Sequence, residues 1–217
     1  MKTALLIGCG SKFGLTLLHQ LLDSGWQVYS VSGSDVAYPG HLHHLTINWH
    51  TVTVADLEPF LRTVPDVDLV LFNQNASALA GANFSTDSYT TVELWRQEKT
   101  WAQSYFVSCI LPFHVVHALG PRCSEKTKIA WMLSSYIYKH LDISNADYVG
   151  NKYQNYLIMQ NFSTNHPACS FGINPDNLAT NQNTDSLVSI LTSDSCNLSG
   201  SVVKFDGSID ANFAVFK

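Results

Sequence analysis

Seven short apolar runs punctuate the chain, and segments with helical spacing separate most of them. Thr3–Ile7, Gln27–Val31, Leu45–Ile47, Val67–Phe72, Ile129–Leu133, Cys169–Ile173 and Val202–Phe205 read as strands. Runs this short and this apolar suit parallel strands covered on both faces. Phe13–Leu22, Val54–Leu61, Val92–Leu119, Tyr148–Phe162 and Ser186–Leu191 read as helices, with Pro112 marking a kink or a local adjustment. Strand–helix alternation over the whole length predicts an α/β domain: a doubly wound parallel sheet with helices on both faces. No repeat, low-complexity tract or linker divides residues 1–217, so a single domain is expected. Ligands of such sheets bind beyond the carboxyl ends of the strands, where the strand order reverses. Residues just after the strands are therefore the ones to examine.

Composition narrows the partners. Apolar residues make up 46% and charged residues only 13%, which fits a globular chain. A net charge of −5 gives no general attraction to nucleic acid or to an anionic membrane, and neither is expected as a partner. The five cysteines, Cys9, Cys109, Cys123, Cys169 and Cys196, contain no CxxC pair, so buried free thiols in a reducing compartment are expected. The apolar run before Gly8 is too short for a signal segment, and no run approaches membrane-spanning length, so a soluble cytoplasmic protein is expected. His41, His43 and His44 read as a solvated loop, and His114 and His117 have no evident third ligand, so no metal is expected.

The first strand ends in "GCGSKFG". Gly8 permits the tight turn, and Gly10 and Gly14 let a pyrophosphate and the following helix come close. The amides of Ser11, Lys12 and Phe13 would open that helix and favour an anion. At the second strand the chain reads "SVSGSD". Ser32, Gly33 and Ser34 stand where a carboxylate would otherwise receive a ribose 2′-hydroxyl, although Asp35 is close. Hydroxyl side chains there, with Lys12 nearby, favour NADP(H), with NAD(H) as the second possibility.

A second constellation is "SSYIYKHLDISNADYVGNK". Ser135 closes a strand, Tyr148 follows thirteen positions later, and Lys152 four beyond that. Residues i and i+4 share a helix face, so Tyr148 and Lys152 point the same way. A nearby ammonium favours phenolate and is expected to lower the Tyr148 pKa. The pair then suits proton transfer, with the serine hydroxyl holding a substrate oxygen.

These motifs, in this order, resemble the short-chain dehydrogenase/reductase family over essentially the whole chain. "FNQNAS" is similar to the family's motif after the fourth strand, with Asn75 and Ala76 as its cofactor-side residues. "INPDNLAT" is similar to the stretch that caps the nicotinamide, with Pro175, Leu178 and Thr180 matching. Asn48 and Trp49 lie where the family meets the adenine, and Ser108 where an asparagine orders a relay water. The resemblance implies a Rossmann-type NAD(P)-binding domain. It implies Tyr148 as acid/base toward a carbonyl or alcohol, Lys152 on the nicotinamide ribose and Ser135 on the substrate oxygen. It also implies a homodimer or homotetramer.

The chain departs from the pattern at Lys12, Ser77 and Asp176, each replacing a glycine, and at Ser108. The stretch between Pro175 and Gly200 is also shorter than the family's usual substrate lobe. An open site would suit a bulky or carrier-bound substrate. Two functions follow: an NAD(P)-dependent oxidoreductase, or a catalytically weak dinucleotide-binding regulator or scaffold. Isomerisation or elimination without net redox change is a third use of the same cofactor.

Overall fold

The computed structural model describes residues 1–74, 100–138, 146–175 and 185–216. Seven parallel strands form one sheet in the order β3-β2-β1-β4-β5-β6-β7. They are β1 (Thr3–Ile7), β2 (Gln27–Ser32), β3 (Leu42–Thr46), β4 (Leu69–Phe72), β5 (Lys128–Met132), β6 (Cys169–Asn174) and β7 (Val202–Lys204). The order reverses between β1 and β4. Ile7 pairs with both Val31 and Phe72, so these three strands end level. The residues that follow them meet at one crevice.

Successive strand residues face opposite sides. Leu5, Ile7, Val70 and Ile129 meet α2 (Val54–Thr63), α3 (Leu111–Leu119) and α4 (Ala146–Asn165) through Leu57, Leu61, Val115, Tyr156 and Met159. Ala4, Leu6, Leu71 and Phe171 meet α1 (Lys12–Asp23) and α5 (Asp185–Thr192) through Leu17, Leu18, Leu21, Leu187 and Leu191. The expected doubly wound sheet is present, with boundaries shifted by a few residues.

Pro112 has a local consequence. The helix before α3 widens into a π turn at Phe106–Ile110, where Leu111 N–H donates to the Phe106 carbonyl. Continuing that register would ask Pro112 to donate to Val107, and proline has no N–H. The Gln74 side-chain amide takes the Val107 carbonyl instead, at 3.4 Å. Thus the proline ties the helix to the segment after β4. The helical stretch Thr100–Arg122 is long and apolar enough to cross a membrane by length and composition, contrary to expectation. Half of it is buried here, because Val107, Leu111, Val115 and Leu119 pack on the sheet.

Two further expectations are corrected. The histidine run is not a loop: β3 begins at Leu42 and pairs with β2 from Val28 to Ser32. The His43 ring stacks on Tyr29 with centroids 4.5 Å apart, and His44 bonds Ser30, so edge-strand pairing organises this polar run. The cysteines are not all free thiols either. Cys169 and Cys196 form a disulfide, with Cα atoms 6.1 Å apart, because β6 and the turn before β7 bring them together. Cys9, Cys109 and Cys123 are free, and burial pushes the last two up to about 12 and about 11.

At the opposite end of the sheet Lys128 opens β5 and is buried. Its ammonium donates to the Ile190 carbonyl, the Ser193 carbonyl and the Ser193 hydroxyl, each at 2.6 Å. A positive charge there also complements the carboxyl end of α5. Burial nevertheless lowers the Lys128 pKa to about 8. Lys128→Met is expected to reduce unfolding free energy by about 1–3 kcal/mol, since three acceptors lose their donor. Urea titration checks this, and an unchanged midpoint would show that these bonds do not secure α5.

Candidate active site

The crevice forms where β1, β2 and β4 end. Gly8 has φ +85°, a conformation open to glycine, and a Cβ there would lie 2.3 Å from the Gln74 amide nitrogen. The Asn73 side-chain amide donates to the Gly8 carbonyl at 2.9 Å and to the Ser11 hydroxyl at 2.8 Å. Ser11 is the N-cap of α1 and also accepts from Gly14 N–H at 3.0 Å. Gly14 is required for packing, because its Cβ would meet the Cys9 carbonyl at 2.6 Å. Gly10 is exposed, with its Cβ position facing the Ser34 hydroxyl at 3.3 Å.

Lys12 occupies the first turn of α1 in helical conformation with its side chain exposed. No glycine is needed there for the backbone. Phe13 plays a different part from its neighbours. Its ring is buried, 5.1 Å from that of Phe205, so only its backbone belongs to the loop.

The tip of β2 forms the other wall. Ser32 was expected to offer its hydroxyl, but the side chain is buried and donates to the Ser34 carbonyl. Ser34 and Gly33 remain exposed. Trp49 lies against Gly33, where a Cβ would come within 2.8 Å of the indole. The Gln103 amide holds the Trp49 carbonyl at 2.9 Å, and Asn48 accepts from His50 N–H at 2.9 Å.

The proton-transfer candidates stand at the ends of β5 and β6. Ser134 caps a short 3-10 turn, Ser135–Ile137, by accepting from Tyr136 N–H at 3.3 Å. Tyr138, just after this turn, donates to Asp210 at 3.2 Å and accepts from Asn174 at 3.0 Å. Asn174 in turn donates to Asp210 at 2.6 Å. Residues from β6 and from beyond β7 therefore fix the turn that carries Ser135. Pro175 follows Asn174 directly.

Tyr148 and Lys152 lie on one face of α4, with the Lys152 ammonium 5.7 Å from the Tyr148 ring centroid. Lys152 is buried and donates to the Met132 carbonyl at 2.7 Å. Burial pushes its pKa down to about 8. The Tyr148 phenol is raised, not lowered as expected: burial dominates, a hydrogen bond with the Ser134 side chain opposes it, and Tyr136 adds to the rise. Ser134 is thus a partner of Tyr148 that the sequence reasoning missed. Ser135 is buried at the head of the turn, and Ser108 is buried within the π turn.

Two groups of residues converge on the same end of the sheet. Gly8, Gly10, Ser11, Lys12 and Gly14 with Gly33 and Ser34 line one side of the order reversal. Ser108, Ser135, Tyr148, Lys152 and Pro175 lie on the other. Asn75, Ala76, Leu178 and Thr180, with the altered turns at Ser77 and Asp176, lie outside the described residues. Asn73 was also missed; its position immediately after a buried strand was the available signal.

No family model and no curated protein matches the chain in sequence. Solved structures match in fold. An oxidoreductase of the short-chain dehydrogenase/reductase family from Brucella ovis, in complex with a partially ordered NAD, superposes with TM-score 0.71 at 13% identity, covering 94% of this chain and 98% of that one. A variant Serratia marcescens short-chain dehydrogenase/reductase gives 0.70 at 15%, covering 95% and 96%. A Burkholderia multivorans structure described as a short-chain dehydrogenase/reductase with bound NADP gives 0.68 at 16%, covering 96% and 98%. This chain has the short-chain dehydrogenase/reductase fold.

Because Lys152 binds its proton more weakly in the folded chain than in the unfolded one, the unfolded state holds the extra proton between about pH 8 and the ordinary value of 10.5. Stability from this group therefore rises with pH across that window and is at its lowest below it. Urea midpoints of wild type and Lys152→Met are expected to shift in favour of wild type as pH climbs from neutral toward about 10. A constant difference would show that Lys152 is not desolvated.

Proposed function

We propose that this chain is an NAD(P)-dependent oxidoreductase, with NADPH preferred, that interconverts a carbonyl and an alcohol. The observation that carries this reading is the joint placement of an exposed glycine loop and the Ser135, Tyr148 and Lys152 cluster at one end of a parallel sheet, on either side of its order reversal. The residues fit the dinucleotide. Gly10 leaves room for a pyrophosphate, and the first amides of α1 have no intrahelical acceptor and favour an anion. Bound there, the nicotinamide supplies or receives hydride.

The chain's own groups handle orientation and the proton. Tyr148 gives its phenolic proton to the substrate oxygen as the carbonyl is reduced, and takes it back in the reverse direction. Ser135 holds that oxygen, and Ser134 orients the phenol. Lys152, held by Met132, offers its remaining N–H donors to the nicotinamide ribose. Ser108, in the widened turn, would order water behind Lys152. The substrate is a small or carrier-bound carbonyl or alcohol.

Exposed Trp101, Tyr105 and Phe113 before and within α3, with Tyr153 and Leu157 on α4, suit a homodimer or homotetramer. The same reading has the enzyme working in the cytoplasm, apart from nucleic acid and membrane. A dinucleotide-binding regulator with little turnover is the second reading, favoured by the raised Tyr148 pKa.

Titrating NADPH and NADH while following nicotinamide fluorescence is expected to show binding of both, NADPH more tightly. Binding of neither contradicts both readings. Across a panel of carbonyl substrates, Tyr148→Phe is expected to lose about a hundredfold or more in kcat. Equal turnover removes Tyr148 from the chemistry, and no wild-type turnover favours the regulator. Lys12→Gly is expected to weaken NADPH; tighter binding would mean that the side chain obstructs the loop.

A further inference from the structure

The histidine run conceals a device at the cofactor-facing tip of β2. His44 Nδ1 lies 2.7 Å from the Ser30 hydroxyl, and its Nε2 lies 3.1 Å from the Ser34 carbonyl. A carbonyl only accepts, so Nε2 carries the proton and Nδ1 accepts from Ser30. The buried Ser32 hydroxyl is the second donor to the Ser34 carbonyl and itself accepts from Ser34 N–H at 3.3 Å. Both lone pairs of that carbonyl are thereby engaged, and the carbonyl is turned in toward β2 and β3.

In a trans peptide the following N–H points the opposite way. The Asp35 N–H is accordingly turned outward, and it makes no hydrogen bond among the described residues. The Ser34 hydroxyl beside it faces Gly10 of the glycine loop. The carboxylate of Asp35, which would repel an added anion, is drawn aside by the Thr46 hydroxyl at 2.5 Å.

We infer that His44 is a positioning residue for cofactor choice: with Ser32 it fixes the Ser34–Asp35 peptide so that the Asp35 N–H and the Ser34 hydroxyl receive a 2′-phosphate, while Thr46 holds the Asp35 carboxylate away. This rests on the proposed NADPH preference. It gives a β2 tip without a basic residue a way to select the phosphorylated ribose: an oriented backbone donor, a neighbouring hydroxyl, and a carboxylate held by Thr46.

The test is fluorescence titration of NADPH and NADH against wild type, His44→Ala, His44→Gln and Thr46→Val, with melting temperatures recorded for each. His44→Ala is expected to weaken NADPH about tenfold and NADH less than about threefold, the scale of a lost hydrogen bond to a charged group. His44→Gln, which keeps a donor for the Ser34 carbonyl, is expected to recover most of the loss. Thr46→Val is expected to weaken NADPH selectively. If wild type prefers NADPH but the preference survives both His44→Ala and Thr46→Val, the inference is overturned and the cofactor reading stands. Equal weakening of both cofactors in His44→Ala overturns it in the same way, since that is a structural defect. If wild type shows no NADPH preference, the cofactor reading fails and the inference falls with it.

Discussion

The backbone at Gly8 passes so close to the chain leaving β4 that a methyl group there would sit 2.3 Å from the Gln74 amide nitrogen. The glycine-loop side of the sheet's carboxyl end depends on this approach. It allows the Asn73 amide to reach across the order reversal and hold both the Gly8 carbonyl and the Ser11 cap of α1. The cap fixes where the first helical amides point. Gln74 then reaches the carbonyl that Pro112 leaves without a donor. One glycine thus couples the glycine loop, the end of β4 and the widened turn that carries Ser108.

The proton-transfer side is held independently, from the other edge of the crevice. Tyr138, Asn174 and Asp210 join the turn after β5 to β6 and to the segment after β7. Lys152 is fastened to the Met132 carbonyl at the end of β5. Burial sets the electrostatics of Tyr148 and Lys152. It lowers Lys152 and raises Tyr148, and the two groups meet through the ring face more than through a shared proton.

The frame was legible in the sequence because its signals are local. Apolar runs such as Thr3–Ile7 announce buried strands, and i,i+4 spacing puts Tyr148 and Lys152 on one face. The parts that stayed hidden depend on register between strands distant in sequence. "LHHLT" has no strand alternation, so only pairing with β2 reveals that His44 stands beside Ser30 and Ser34. Cys169 and Cys196 meet because β6 and the approach to β7 are neighbours, across a separation of 27 residues. Ser32 looked available from its place in "SVSGSD", but its inward turn follows from the backbone of Ser34. Ser134 stands one position before the serine that the spacing to Tyr148 selects, and only the 3-10 turn it caps brings it to Tyr148.

The central claim is that one dinucleotide spans the order reversal, with its phosphates on the α1 loop and its nicotinamide beside Tyr148. Amide hydrogen exchange with and without NADPH tests it most directly. The account expects simultaneous slowing in the peptides that cover Gly8–Gly14 and in those that cover Tyr148–Lys152, with little change around Lys128 at the opposite end of the sheet. Slowing of neither segment, or of only one at saturating NADPH, would contradict it.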